Sequence, residues 1–193
     1  VKKITNAMQL VSAIKMRKAQ QKALEGKPYR ELLFFIIQKV AASFVEKSYS
    51  PLLSKSNPLA QKDLVILITS DKGLCGSFNF NLFRFLVKEV DFKKVDFISI
   101  GIKGALFVKK MGGVVIADFS SLYKEDRVSA IFKTAFDLFF KGEYANVFLV
   151  YNRFLSTVSF EPVKKRIFPI KFEKKEFKDA EKKEVKKEYL IEP

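Results

Sequence analysis

Four short runs that are apolar on both faces, at residues 64–69, 95–100, 114–117 and 147–151, are separated by helix-compatible stretches at 80–90, 103–111 and 126–141. This alternation constrains the fold more than any other feature of the chain. A strand wet on one face alternates apolar and polar residues, whereas a strand apolar on both faces needs cover on both. Helical crossovers supply that cover and make successive strands parallel. An α/β fold is therefore expected: a Rossmann-like parallel sheet with flanking helices. After Asn152 the pattern changes. Residues 154–163 alternate loosely and no helix follows, so an edge strand is expected there, with a short extended piece at 167–172.

Residues 1–47 read as helix. Ile4, Ala7, Val11 and Ile14 are spaced 3-4-3, with Met8 beside them, which gives a narrow stripe like one half of a coiled-coil seam. The stripe ends at Ile14; Lys15, Arg17, Lys18 and Lys22 then surround Met16 and Ala19. Gly26 and Pro28 predict a kink, or a break with Pro28 restarting the helix. Residues 32–45 are apolar almost all round, which predicts burial against something. A helix over residues 1–25 would span roughly 37 Å. Residues 48–63, with Pro51 and Pro58, read as a linker, 64–172 as the α/β domain, and 173–193 as a Lys/Glu-rich segment.

Composition excludes several classes. The longest apolar run, 32–37, is far short of the ~20 residues a membrane span needs. Cys75 is the only cysteine, so no internal disulfide can form. Histidine is absent, which removes the commonest general base and most zinc-site patterns. The net charge is +15, and residues 1–30 hold eight Lys/Arg against Glu25 alone. Such a balance points to an acidic partner: nucleic acid, anionic lipid or an acidic protein.

The C-terminal strand ends, where open α/β sheets place their ligands, carry Asp71, Ser99, Gly101, Asp118 and Asn152. Asp71 and Asp118 could together hold a magnesium ion and a phosphate. The turn Gly73-Leu-Cys-Gly76 between the first strand and its helix is neither a dinucleotide fingerprint nor a P-loop. Gly101-Ile-Lys-Gly104 reads as a strand-to-helix bend, and Lys110-Met-Gly-Gly113 as a helix C-cap. Without a histidine to activate it, Cys75 reads as a small residue packed in a Gly-rich turn. The phenylalanines at 34, 35, 132, 136, 139 and 140 recur at helical spacing and read as core. Strand aromatics alternating with Lys/Arg, as on RNA-binding sheets, do not appear. Two alternatives stay open on residue types: a small α/β phosphate- or nucleotide-binding enzyme, and a basic nucleic-acid-binding protein.

Four segments resemble one family. Ser70-Asp-Lys-Gly-Leu-Cys-Gly76 is similar to the Ser-Asp-Arg-Gly-Leu-Cys-Gly segment of the gamma subunit of F-type ATP synthases, with Lys72 for the usual arginine. The run Lys3 to Gln20 resembles that family's first helix, with Asn6 in place of a lysine. Tyr151-Asn-Arg-Phe154 resembles its Tyr/Phe-Asn-x-Phe segment, and Tyr189-Leu-Ile-Glu-Pro193 the Tyr-x-x-Glu-Pro before its last helix. The resemblance implies a non-catalytic rotor subunit without a cofactor, metal, nucleic-acid partner or small-molecule substrate. The rotor couples ion flow to ATP synthesis in a ring of alpha and beta subunits. Its shaft would be an antiparallel coiled coil, with the chain here starting inside the first helix and stopping before the last.

The resemblance also assigns contacts. Met8, Lys15, Arg17, Lys18 and Lys22 would lie on the shaft, the basic ones facing acidic lever loops of the beta subunits. Asp71, Lys72, Gly73, Leu74, Cys75 and Gly76 would lie near those loops. The α/β domain would dock the epsilon subunit and the membrane ring of c subunits, with Tyr189 and Glu192 close to that ring. It further implies a peripheral membrane location on the cytoplasmic face of the bacterial inner membrane.

Overall fold

The computed structural model describes residues 2–43, 60–120, 126–156 and 159–170. Tyr189, Glu192, the Lys/Glu-rich segment 173–193 and linker residues 48–59 lie outside the described residues. The chain divides into two compact units, Val1–Glu46 with Phe172–Pro193, and Lys47–Lys171.

The first unit holds α1 (Lys2–Ser43), one helix of 42 residues and so roughly 63 Å long. It runs through Gly26 and Pro28, where a kink or break was expected. Pro28 costs the Leu24 carbonyl its donor, but one such loss does not end a helix flanked by good helix formers. Close by, Arg30 Nη2 reaches back to Ala23 O at 3.2 Å, adding a donor where the ladder is weakest. Ile4, Val11 and Ile14 of the expected stripe, and Met8 beside it, each expose more than half their surface. Leu32, Leu33, Ile36 and Ile37 are exposed as well. The burial expected for this stretch is not supplied by the chain at those four positions. Among the described residues no helix is long and apolar enough to cross a membrane.

The second unit is built on β1 (Asp63–Ile68), α2 (Phe78–Glu89), β2 (Val95–Ile100), α3 (Ile102–Lys110), β3 (Val114–Asp118), α4 (Asp126–Phe140), β4 (Val147–Ser156) and β5 (Ser159–Phe168). The sheet order is β3-β2-β1-β4-β5. The first four strands are parallel and β5 is antiparallel to β4. Three of the four apolar runs, in β1, β2 and β4, behave as their two-faced pattern demands; β3 departs from it, because as the edge strand it leaves Val114 and Ile116 exposed. Val65, Leu67, Val95, Phe97 and Val150 face one layer with Leu82 and Leu86 of α2 and Val108 of α3. Leu64, Ile66, Ile98 and Val147 face the other, with Ala135 and Phe139 of α4. The rings of Phe83 and Phe107 stack at 4.1 Å and join α2 to α3.

The region after Asn152 differs from its expectation in boundaries. β4 pairs with β1 only as far as Val150, yet it continues to Ser156 as one arm of a hairpin with β5. Residues 154–163 therefore span the end of one strand and the start of the next. The loose alternation there reflects a two-stranded ribbon wet on both faces, with Phe154 and Leu155 exposed. Phe132 and Phe140, expected in the core, are nearly half exposed, because α4 covers the sheet with only one side.

At the N-terminal ends of the strands lies a polar network the sequence did not announce. Asp96, buried in β2, accepts Lys62 Nζ at 3.0 and 3.2 Å and Tyr144 Oη–H at 2.9 Å. Asn146 Nδ2 donates to Asp63 Oδ1 at 2.7 Å beside it.

Candidate functional site

β1 and β4 are neighbours whose onward connections run to opposite sides of the sheet, through β2 and β3 on one side and β5 on the other. That junction is the switch point of an open α/β sheet, where a loop has room to emerge. Residues 69–77 emerge there.

The loop is held in shape by Asn79, in the first turn of α2. Its Oδ1 accepts Ser70 N–H at 3.3 Å, and its Nδ2 donates to Ser70 Oγ at 2.6 Å and to Cys75 Sγ at 3.3 Å. Ser70 Oγ–H donates onward to Lys72 O at 2.6 Å. Asp71 Oδ1 accepts Ile102 N–H at 3.1 Å, capping the start of α3. Asn152 Nδ2 reaches from β4 to Phe78 O at 2.8 Å. These bonds fold the segment so that Leu74 and Gly76 take left-handed backbone, φ 59° and 58°. Glycine adopts that region freely, but for leucine it costs about 1–2 kcal/mol. Leu74 stands fully exposed at the tip. A left-handed, fully exposed leucine buries nothing within its own domain and carries backbone strain besides.

Asp71, Lys72, Gly73, Leu74, Cys75 and Gly76 are thus brought together in one loop. Cys75 departs from its expectation: it is exposed rather than packed, because the turn points outward. Asn79 was missed. The signal for it was a polar residue among phenylalanines, Phe78-Asn-Phe80, at a helix start. Replacing Asn79 by alanine is expected to speed amide exchange across 71–76 about tenfold, since the bonds lost are worth ~1–2 kcal/mol. Melting should shift by only a few degrees. Unchanged loop protection would show that the Asp71–Ile102 bond suffices.

Asp71 and Asp118 are not assembled into a metal site. Asp71 lies in the loop three residues past β1 and caps α3, whereas Asp118 ends β3, with β2 between the two strands. Asp118 is engaged locally by the hydroxyl and N–H of Ser120. Among the described residues no group of three or more His, Cys, Asp or Glu could hold a metal ion. Gly101 and Gly104 behave as the expected bend, both pressed against Thr69; Gly104 N–H donates to Thr69 Oγ1 at 2.8 Å. Gly112, φ 77°, and Gly113 close α3, with Gly113 N–H on Val108 O at 2.9 Å.

On α1, Met8, Lys15, Arg17, Lys18 and Lys22 are all exposed. At 100° per residue, Lys15, Lys18 and Lys22 continue the face that carries Ile4, Met8 and Val11. Arg17 projects about 100° or more away from Lys15, Lys18 and Lys22. One helix face therefore changes from apolar to basic at Ile14, and Arg17 is not part of it.

The chain thus combines a Rossmann-like sheet domain with a 42-residue helix that exposes an apolar stripe. Residues 1–193 match the family described as ATP synthase. The chain belongs to that family, as one of its gamma chains. The ATP synthase gamma chain of Legionella pneumophila (strain Corby) is 30% identical over 177 residues, covering 88% of this chain and 60% of that one. The gamma chain of Paraburkholderia phymatum is 32% identical over 204 residues, covering 100% of this chain and 68% of its own length. A chain in the central stalk/c-ring structure of the Tetrahymena thermophila mitochondrial ATP synthase superposes with a TM-score of 0.66 at 25% identity, covering 86% and 72%. The chain spans about 60% of the length of the first of these relatives.

Proposed function

We propose that this chain is the non-catalytic rotor subunit of an F-type ATP synthase, turning inside a ring of alpha and beta subunits and carrying torque from ion flow to ATP synthesis. The observation that supports it best is α1: a rod of 42 residues with an apolar face left uncovered. Isolated helices draw little stability from water, and most of it comes from packing an apolar face. The stripe at Ile4, Ala7, Val11 and Ile14 is suited to a second helix of a coiled-coil shaft.

Where the stripe turns basic, Lys15, Lys18 and Lys22 face acidic loops of the beta subunits. The loop around Leu74 makes a second contact with the ring. The α/β domain docks the epsilon subunit and the c ring, with Tyr189 and Glu192 nearest the ring, and the assembly lies on the cytoplasmic face of a bacterial inner membrane.

No single lysine carries the torque, because an exposed ion pair is worth only ~0–1 kcal/mol. Steric contact along a stiff helix does most of it, and charge shapes the path. Replacing Lys15, Arg17, Lys18 and Lys22 together by alanine should leave the fold of the α/β domain unchanged. In the assembled enzyme it should lower coupled turnover several-fold at low salt, with the defect shrinking once screening cuts attraction beyond about 8 Å. The triple variant that keeps Arg17 should reproduce the effect, and Arg17→Ala alone should not. Wild-type turnover by the quadruple variant at every salt concentration would leave the lysines as solvating groups only.

A further inference from the structure

At the end of the sheet opposite the Leu74 loop, the helices stop and the strands begin. Lys88 sits in the last turn of α2, Lys93 and Lys94 in the turn to β2, and Lys109 and Lys110 in the last turn of α3. Phe92 draws these pieces into one corner. Its ring lies 6.3 Å from Phe107 of α3 and 5.4 Å from Phe97 of β2, and Gly113 is so close that a Cβ there would meet Phe92 at 3.0 Å. Lys94 N–H on Asp91 O and Lys93 N–H on Asp91 Oδ1, both at 3.0 Å, fix the turn itself. All five lysines are exposed, and among the described residues none of them forms an ion pair. Glu89 and Asp91 are the carboxylates of this turn, and Lys164 Nζ adds a further positive charge by bonding Glu89 O at 3.1 Å.

Lysines at helix C-termini offset the helix dipole. That explains Lys88, Lys109 and Lys110, but not Lys93 and Lys94, which open a strand. Nor does it explain Met111, which is 42% exposed between Lys110 and the Gly112 turn. We propose that this corner docks on anionic lipid headgroups, with Met111 entering the interface beneath them. Five flexible point charges around an apolar tip suit a plane of mobile phosphates over hydrocarbon. Fixed carboxylates or ordered phosphates are more often met by the planar fork of arginine. The inference takes from the rotor reading only the nearness of a membrane. Vesicle binding needs no other subunit, so its failure would leave that reading standing, and a failed assembly would leave this one.

The test is flotation of the whole chain with vesicles of phosphatidylglycerol and phosphatidylcholine, against phosphatidylcholine alone, at about 150 mM salt. Because the whole chain is basic, two charge-matched variants are compared. Replacing Lys93, Lys94, Lys109 and Lys110 by glutamine should weaken binding to the anionic vesicles about a hundredfold or more, the order that four lysines near such a surface contribute. Replacing Lys15, Arg17, Lys18 and Lys22 by glutamine should change it less than about twofold on the same scale. Met111→Ser, which leaves the charge alone, should weaken it several-fold and covers the case in which the quadruple variant misfolds. Equal loss in both charge variants, no preference for anionic vesicles, or tighter binding to polyglutamate or duplex DNA at the same salt would each overturn the proposal.

Discussion

Gly101→Ala should unfold the α/β domain at a temperature at least 10 °C lower, a loss of about 3–5 kcal/mol. Gly101 ends β2 and opens α3 with φ 108°, where an L side chain is strained by itself. A Cβ there would also lie 2.3 Å from Thr69 O and 2.5 Å from Thr69 Oγ1. Thr69 cannot retreat cheaply: its N–H is on Ile100 O at 2.8 Å and its hydroxyl oxygen takes Gly104 N–H. The strand-to-helix bend and the base of the Leu74 loop would shift together. Gly112→Ala is the control, since its φ is also positive but nothing lies within 4 Å of the added Cβ. It should cost only about 1 kcal/mol. Near-ultraviolet dichroism follows the packed aromatic rings of the sheet domain, to which the exposed Tyr29 of α1 adds little; equal melting of the two variants would show that conformation alone, and not the Thr69 contact, sets the cost.

Asp96→Ala should cost about 2–4 kcal/mol, most of it through Tyr144. Removing the carboxylate leaves a hydroxyl buried in a residue only 5% exposed, while Lys62, whose side chain is 45% exposed, turns to water. The double variant with Tyr144→Phe should recover part of the loss, because no orphaned hydroxyl remains. Burial, and after it the hydrogen bond and charge of Asp96, push the Tyr144 phenol well above its usual range. The sign then follows. Above about pH 10 an unfolded tyrosine gives up its proton and the folded Tyr144 keeps it. Stability from this group is full below that pH and falls as pH rises further. The wild-type chain should lose stability above pH ~10 more steeply than Tyr144→Phe in urea titrations. Parallel curves would mean the phenol ionises as freely folded as unfolded.

Much of the fold was legible because its signals are local. Strands 64–69, 95–100 and 147–151 were readable since each must be apolar on both faces. The glycine pairs at 101 and 104 and at 112 and 113 were readable since each marks a helix end. The extension of β4 was not, because it depends on pairing with β5 rather than on β1. The polar role of Asp96 was not either: one aspartate in an apolar strand has no partner until Lys62 and Tyr144, 34 residues before it and 48 after it, arrive beside it.

The site divides in the same way. Sequence by itself determined the family, the tight turn at Gly73 and Gly76, and the change from apolar to basic along α1, since backbone freedom and helical period are properties of short segments. Only the tertiary structure decided that Asn79 would bind Ser70 and Cys75, that Leu74 would stand exposed in left-handed backbone, and that five lysines from two helices and a turn would meet at one corner. Those outcomes depend on where β1, β2 and α3 come together. That is fixed by packing between residues far apart in sequence, and no local pattern carries it.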